Sequence, residues 1–259
     1  MLETRVRLAV NASAPVIAKS CGHGLILASI ASTVMDKQVE DMINTIKLEA
    51  RDAAPWVGKA DIDPRVLAAM AAVPRHEFVP PGVISSAYEN GPLPIGHGQT
   101  ISQPYLVALM TDLLRTRPEY TILEVGTGSG FQTAVLSQLV GYVYSIELVR
   151  ELADRAAARL RRLGYGHVET RWGDGYHGWP EHAPYDGIIV TAAVYEIPQP
   201  LIDQLKPGGR LIAPVGIRYQ GQDLIVLEKD AQGRARRHKT LPVAFVPLSR
   251  LDEVSLGTH

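Results

Sequence analysis

The spacing of apolar residues changes from helical to alternating strand and helix near the middle of the chain. Apolar residues recur at three- and four-residue steps from Asp36 to Ala53, which predicts an amphipathic helix. A second helix is predicted to begin after Asp63, a good N-cap followed by Pro64, and to end before Pro74. We predict an N-terminal extension over residues 1–50, partly disordered or helical, ahead of one domain over residues 51–259.

Residues 79–104 are rich in proline and glycine and predict a long irregular segment. Irregular segments of this length inside a compact chain are often functional. The apolar pattern then resumes and predicts a helix from Pro104 to about Arg115.

From Tyr120 onward, short apolar strands alternate with helices. Helices are predicted at 131–140, 148–160 and 198–205, between strands at 121–125, 142–146, 167–171, 185–191 and 210–215. Two further strands, 224–228 and 241–246, are predicted as a closing pair. This alternation predicts an α/β fold, a doubly wound and mostly parallel seven-stranded sheet, with a helical subregion at its N-terminal side.

A glycine-rich turn follows the first of these strands and reads Glu124, Val125, Gly126, Thr127, Gly128, Ser129, Gly130. The dinucleotide pattern fails here, because its last position is occupied by Phe131 or Thr133, according to the register. A phosphate loop ending in Gly-Lys-Ser/Thr is also absent from the sequence. The turn therefore favours a nucleoside that carries a charged tail and no phosphate.

Acidic residues stand at the ends of three successive predicted strands. Glu124 suits a ligand cation, Glu147 can accept hydrogen bonds from ribose hydroxyls, and Asp174, between Gly173 and Gly175, can accept one from an adenine amine. A lone acid or a lone glycine turn is usually only structural, but three in one crevice favour a binding site. Three aromatic residues near Asp174 could wall the adenine or pack in the core: Trp172, Tyr176 and Trp179.

These features resemble the class I S-adenosylmethionine-dependent methyltransferases. Longer segments, in the same order, resemble one family among them, the protein-L-isoaspartate O-methyltransferases. These segments are residues 73–80 (VPRHEFVP), 93–104 (LPIGHGQTISQP), 126–135 (GTGSGFQTAV), 173–180 (GDGYHGWP), 186–193 (DGIIVTAA), 207–216 and 245–248 (FVPL).

The resemblance implies a Rossmann-like methyltransferase domain over residues 51–259 and S-adenosyl-L-methionine as the cofactor. It implies methylation of the free α-carboxylate of L-isoaspartyl residues, and less well of D-aspartyl residues, in damaged proteins and peptides. The resulting ester closes to a succinimide, which starts repair. By the same resemblance Ser102 is the active-site residue, which positions the substrate. The implied cofactor-binding residues are Gln99, Thr100, Ile101, Ser102, Glu124, Gly126, Gly128, Gly130, Glu147, Gly173, Asp174, Gly175 and Thr191.

Several alternatives stay open at this point. Ser102 could serve only to cap the helix that begins at Pro104. The chain could methylate a different substrate, or could bind isoaspartyl proteins for a partner without catalysis. An isoaspartyl peptide assay separates these functions.

Composition and charge bear on which classes of partner the chain can bind and on where the protein is located. The 259 residues have a formal net charge of -1 and a single cysteine, Cys21, and no histidine spacing indicates a metal site. No apolar run is long enough for a membrane span, and nothing resembles a nucleic-acid binder. We expect a cytoplasmic monomer that binds neither nucleic acid nor membrane. Export is the alternative, because basic residues precede a short apolar segment, Leu25 to Met35.

Overall fold

A computed structural model describes residues 22–217 and 220–250, with side chains described from residue 34 onward. The chain divides into two units, residues 1–38 and 39–259. Residues 1–21 of the predicted extension, including Cys21, lie outside the described residues. The predicted division near residue 50 stays a prediction.

Most helices agree with the apolar periodicity of the sequence. They are α1 (Gly22–Asp52), α2 (Ala54–Val57), α3 (Pro64–Ala72), α4 (Pro104–Leu113), α5 (Phe131–Ser137), α6 (Arg150–Arg162) and α7 (Gln199–Asp203). However, α1 begins at Gly22 rather than at the predicted Asp36, and α2 was not predicted. At α3 the Asp63 carboxylate accepts a hydrogen bond from the Arg65 amide at 2.8 Å, so the predicted N-cap is confirmed. None of the helices in the described part of the chain is long and apolar enough to cross a membrane.

The strands form a two-stranded hairpin and a seven-stranded sheet. They are β1 (Leu93–Gly96), β2 (Gln99–Ile101), β3 (Thr121–Val125), β4 (Tyr142–Glu147), β5 (Val168–Trp172), β6 (Tyr185–Val190), β7 (Leu205–Ile217), β8 (Gly221–Lys229) and β9 (Ala235–Val243). The large sheet has the order β5-β4-β3-β6-β7-β8-β9. Strands β5, β4, β3, β6 and β7 pair in parallel, and β8 is antiparallel to both neighbours. The predicted doubly wound, mostly parallel seven-stranded sheet is confirmed.

The order of the strands reverses beside β3, and this places the functional crevice. The chain moves from β3 outward through β4 to β5 and then returns to β6, on the other side of β3. Four of the five β3 residues and five of the six β6 residues are buried, as expected for central parallel strands. In such sheets ligands bind outside the carboxyl ends of the strands at this reversal.

The segment over residues 79–104, which the sequence pattern predicts to be irregular, contains a hairpin. Strands β1 and β2 pair in antiparallel fashion, and Leu93 lies opposite Ile101. The two residues between the strands, His97 and Gly98, have φ angles of 53° and 69°. Positive φ at both central residues is the requirement of a tight hairpin turn of type I′, so the glycine beside His97 was the available signal.

The second strand of the closing pair differs from its prediction at both ends. Strand β9 begins at Ala235, six residues before the predicted start. The prediction of strand over 241–246 is wrong for its last residues, because β9 ends at Val243 and Phe245 no longer pairs with β8. The side chain of Gln222 instead hydrogen-bonds both backbone groups of Phe245. Its Nε2 donates to the Phe245 carbonyl at 3.1 Å, and its Oε1 accepts from the Phe245 amide at 2.6 Å. The chain beyond β9 is thereby directed away from the sheet ladder.

Candidate functional site

A cavity of about 910 Å³ lies at the carboxyl ends of β3, β4 and β6. Nine of the predicted site residues line it: Gln99, Thr100, Ile101, Ser102, Gly126, Gly128, Glu147, Gly175 and Thr191. Four others do not line it: Glu124, Gly130, Gly173 and Asp174. The glycine turn, the acid after β4 and the hairpin that precedes α4 therefore meet at one site.

The glycine turn approaches the end of β6 so closely that no side chain fits. Gly126 has a φ of 99°, and a Cβ added to it would lie 2.3 Å from Thr191 Oγ1. The Thr191 hydroxyl lies within hydrogen-bonding distance of the Gly126 carbonyl, at 2.6 Å, and of the Val125 carbonyl, at 3.1 Å. Thr191 therefore joins the ends of the two central strands at the floor of the cavity.

Glu147 lies at the end of β4 with its carboxylate against the same turn. Its Oε2 accepts from the Gly128 amide at 2.7 Å, and its Oε1 accepts from the Val149 amide at 2.9 Å. Burial raises the pKa of Glu147, and these backbone hydrogen bonds oppose the increase. Val149 adopts extended backbone at the N-cap. Helix α6 therefore begins at Arg150 rather than at the predicted Leu148.

Glu124 occupies a different position from the predicted one. Its side chain is fully buried beneath the turn, where its Oε2 accepts hydrogen bonds from the Thr133 and Ser145 hydroxyls. Ser145 also shares a hydrogen bond of 2.6 Å with Thr127, a residue that lines the cavity. The prediction that Glu124 faces a ligand cation therefore differs from the structure, because the carboxyl packs under the turn.

The other three predicted residues that do not line the cavity shape its surroundings. Gly130 is the N-cap of α5, with a φ of 88°, and its missing side chain makes room for Leu160. The Gly173 amide donates to the Glu147 carbonyl at 2.9 Å. Asp174 Oδ1 accepts from the Tyr176 amide at 2.9 Å, and the role of this carboxylate toward adenine stays a prediction.

Ser102 lines the cavity directly after β2. The alternative that Ser102 only caps α4 is wrong, because the N-cap is Gln103 and the Tyr105 amide in the first turn donates instead to Asn90 Oδ1 at 3.1 Å. The Ser102 carbonyl accepts a hydrogen bond of 2.7 Å from Arg75 Nη2. The backbone of Ser102 is therefore fixed at the edge of the cavity that this residue lines.

Two parts of the cavity lining were not predicted from the sequence. One comprises residues 148–151, beside Trp172, an aromatic residue already considered for the adenine wall, which is 46% exposed and whose indole donates to the Leu148 carbonyl at 2.8 Å. The other is the C-terminal segment 246–249. It is joined to Ala193 by two backbone hydrogen bonds, 2.8 Å to the Val246 carbonyl and 2.7 Å from the Leu248 amide. The family-like FVPL run was the available signal for the second part.

The described residues fit a nucleoside. A cavity of this volume is typical of small-molecule sites, and the Gly126–Gly128 backbone allows the close approach that a ligand needs. Glu147 presents a carboxylate with acceptor capacity left beside its two backbone donors. Trp172 offers an exposed aromatic face at the same cavity, whereas Trp179 is buried in the core.

Comparison with known families agrees with this geometry. Residues 59–253 match the family model described as Protein-L-isoaspartate(D-aspartate) O-methyltransferase (PCMT). The chain belongs to this family. The family expected from the glycine turn, the hairpin segment and the C-terminal FVPL run is confirmed.

Individual relatives extend over most of the chain. A Protein-L-isoaspartate O-methyltransferase 2 from Syntrophobacter fumaroxidans is 61% identical over 208 residues, which is 80% of this chain and 84% of the relative. A protein of the same name from Nitrosococcus oceani is 56% identical over 218 residues, covering 84% of this chain and 99% of the relative.

Among solved structures, a protein-L-isoaspartate O-methyltransferase is 30% identical and has a TM-score of 0.71. The match covers 82% of this chain and 66% of that one, so this chain spans slightly less than two thirds of its length. A Plasmodium falciparum protein in complex with S-adenosyl-L-homocysteine has a TM-score of 0.67 at 24% identity, which supports the fold alone.

The contact between Gly126 and Thr191 yields a prediction about folding. Gly126→Ala should lower the free energy of unfolding by about 3 kcal/mol or more, because it adds a steric collision to the cost of positive φ. Gly164→Ala is the matched control, since Gly164 has a φ of 84° but open space around its Cβ position. We expect it to lower the same free energy by about 1 kcal/mol. Urea unfolding measures both, and equal losses would contradict the steric argument.

The burial of Glu124 yields a prediction about pH. Burial raises its pKa from the ordinary 4.5 to about 8, so between these values the folded protein retains a proton that the unfolded chain releases. This stabilising contribution is fully present below the unfolded value and is lost as the pH rises through the folded one. Glu124→Gln should abolish this loss, which we expect to be on the order of 2 kcal/mol between about pH 5.5 and about pH 8. Identical pH dependence of the urea-unfolding free energy in the two proteins would contradict it.

Proposed function

We propose that this chain transfers a methyl group from S-adenosyl-L-methionine to the free α-carboxylate of L-isoaspartyl residues, and less well of D-aspartyl residues, in damaged proteins and peptides. The observation that carries the proposal is the convergence of Gly126, Glu147 and Ser102 on one cavity in a chain of the PCMT family. The ester then closes to a succinimide, which starts repair.

The cofactor side of the cavity is assigned to the ends of β3, β4 and β5. Glu147 would accept hydrogen bonds from ribose hydroxyls, and Gly126 and Gly128 would let the backbone approach the ligand. Trp172 and Gly175 line the same side. When bound, S-adenosyl-L-methionine supplies a methyl group on a positively charged sulfur.

The substrate side is assigned to the Gln99–Ser102 segment and Thr191, which the family resemblance had implied as cofactor-binding residues. The attacking carboxylate has an ordinary pKa near roughly 4 and is already ionised at neutral pH, so the residues need not remove a proton. They must align the oxygen and exclude water. Ser102 would hold one carboxylate oxygen through its hydroxyl while the other remains available for reaction.

The partner is accordingly a protein or peptide that contains isoaspartyl residues. We expect a monomer in the cytoplasm that requires neither nucleic acid nor a membrane, and each of these points stays a prediction.

The deciding experiment measures methyl transfer to an isoaspartyl peptide and to its normal aspartyl twin. Methylation of the first alone supports the proposal. Methylation of another substrate class but not of this peptide would indicate a different methyltransferase. Tight binding of the isoaspartyl peptide without methyl transfer would indicate a non-catalytic adaptor.

The role of Ser102 gives a more specific prediction. Ser102→Ala should lower turnover about tenfold or more and leave the affinity for S-adenosyl-L-homocysteine nearly unchanged, since the hydroxyl is assigned to the substrate. Ser137→Ala is the control, because the Ser137 hydroxyl donates to the Ala134 carbonyl within α5 and does not line the cavity. Steady-state kinetics and calorimetry measure both effects, and weakened cofactor binding with normal turnover would refute the assignment.

A further inference from the structure

A fully buried arginine lies behind the substrate side of the cavity. Arg75 Nε donates to the Ala87 carbonyl at 2.7 Å, and Nη2 donates to the Ser102 carbonyl at 2.7 Å. Its third nitrogen, Nη1, is also buried and has no hydrogen-bond partner among the described residues. Arg75 therefore fixes the Ser102 backbone while part of its own hydrogen-bonding capacity stays unused.

Among the described residues, the charge of Arg75 has no acidic partner. None of the ion pairs among residues 34–217 and 220–250 involves Arg75. Burial lowers its pKa to about 9, so the guanidinium remains charged at neutral pH. A buried charge without a counter-ion is costly, and such groups are concentrated at functional sites.

The guanidinium lies close to the cavity through two contacts. One is the Ser102 carbonyl, and the other is the ring of Phe131, whose centroid is 4.6 Å from the Arg75 Cζ. Both Ser102 and Phe131 line the cavity. The positive charge is therefore separated from the cavity by a single layer of residues.

A second arginine provides an internal comparison on the cofactor side. Arg159 Nη1 donates to the Ser129 carbonyl in the glycine turn at 2.8 Å, and its Cζ is 5.9 Å from the centroid of Phe78. Phe78 packs edge to face on Phe131, with the centroids 5.6 Å apart. Unlike Arg75, Arg159 is only half-buried, and the charge of Glu77 supports its protonation.

We propose that Arg75 is a positioning residue for the anionic substrate, because it holds the Ser102 segment and places an uncompensated positive charge behind the wall that receives the α-carboxylate. The inference rests on the proposed function. It implies that the site prefers a carboxylate to a neutral group of the same shape, and that this preference comes from Arg75. Arg159 holds the backbone of the glycine turn in a similar way, but it does not set the preference for a carboxylate.

The test compares two peptides that differ only in charge. An isoaspartyl peptide and its α-carboxamide twin are titrated against the protein in the presence of S-adenosyl-L-homocysteine. The wild type should bind the carboxylate about tenfold or more tightly than the carboxamide, because the buried cation is poorly screened. Arg75→Met should bring this ratio close to one, whereas Arg75→Lys should retain most of it despite weaker binding of both peptides. Arg159→Met should keep the ratio and weaken S-adenosyl-L-homocysteine binding.

The outcomes separate the inference from the proposed function. A wild-type ratio in Arg75→Met, or a ratio near one in the wild type, would overturn the inference even if the isoaspartyl peptide is methylated. A wild type that methylates no isoaspartyl peptide overturns the proposed function instead. If thermal melting shows that Arg75→Met does not fold, Arg75→Gln takes its place, because it keeps amide donors and removes the charge.

Discussion

The contact between Gly126 and Thr191 is the constraint on which the site depends. Strands β3 and β6 are neighbours at the point where the strand order reverses, and the cavity opens there. The Thr191 hydroxyl lies 2.6 Å from the Gly126 carbonyl, in the space that any side chain at position 126 would need. The Thr191 hydroxyl fills the space that a side chain at position 126 would occupy. The glycine turn and the end of β6 therefore form one continuous floor beneath the cofactor side and the substrate side of the cavity.

Buried polar groups support two different parts of the cavity, the glycine turn and the Ser102 segment. Glu124 is held by the Thr133 and Ser145 hydroxyls, and Arg75 is held by the Ala87 and Ser102 carbonyls. In both cases neutral hydrogen-bonding partners replace an opposite charge. Burial therefore favours a protonated Glu124, which adds no negative charge beneath the turn, whereas Arg75 keeps its positive charge beside the Ser102 segment. The two sides of the cavity consequently differ in electrostatic character.

The C-terminal segment shows how a side chain can redirect the backbone. The amide group of Gln222 pairs with both backbone groups of Phe245, as a neighbouring strand would. The following residues then join Ala193 beyond the end of β6 and line the cavity. The apolar pattern over 241–246 predicts strand throughout, although β9 ends at Val243 and Val246 lines the cavity.

Local patterns in the sequence determined the elements of the sheet, the Asp63 cap of α3 and the glycine turn, because each depends on neighbours within a few residues. The same patterns, with the FVPL and hairpin segments, were specific enough to indicate the family. Only the tertiary structure decided which predicted residues reach the cavity. The direction of a side chain at a strand end depends on distant partners: Ser145 and Thr133 draw Glu124 beneath the turn, while the Gly128 amide holds Glu147 at the cavity. The contact between Arg75 and Ser102 likewise joins residues far apart in the chain, so no local pattern could have indicated it.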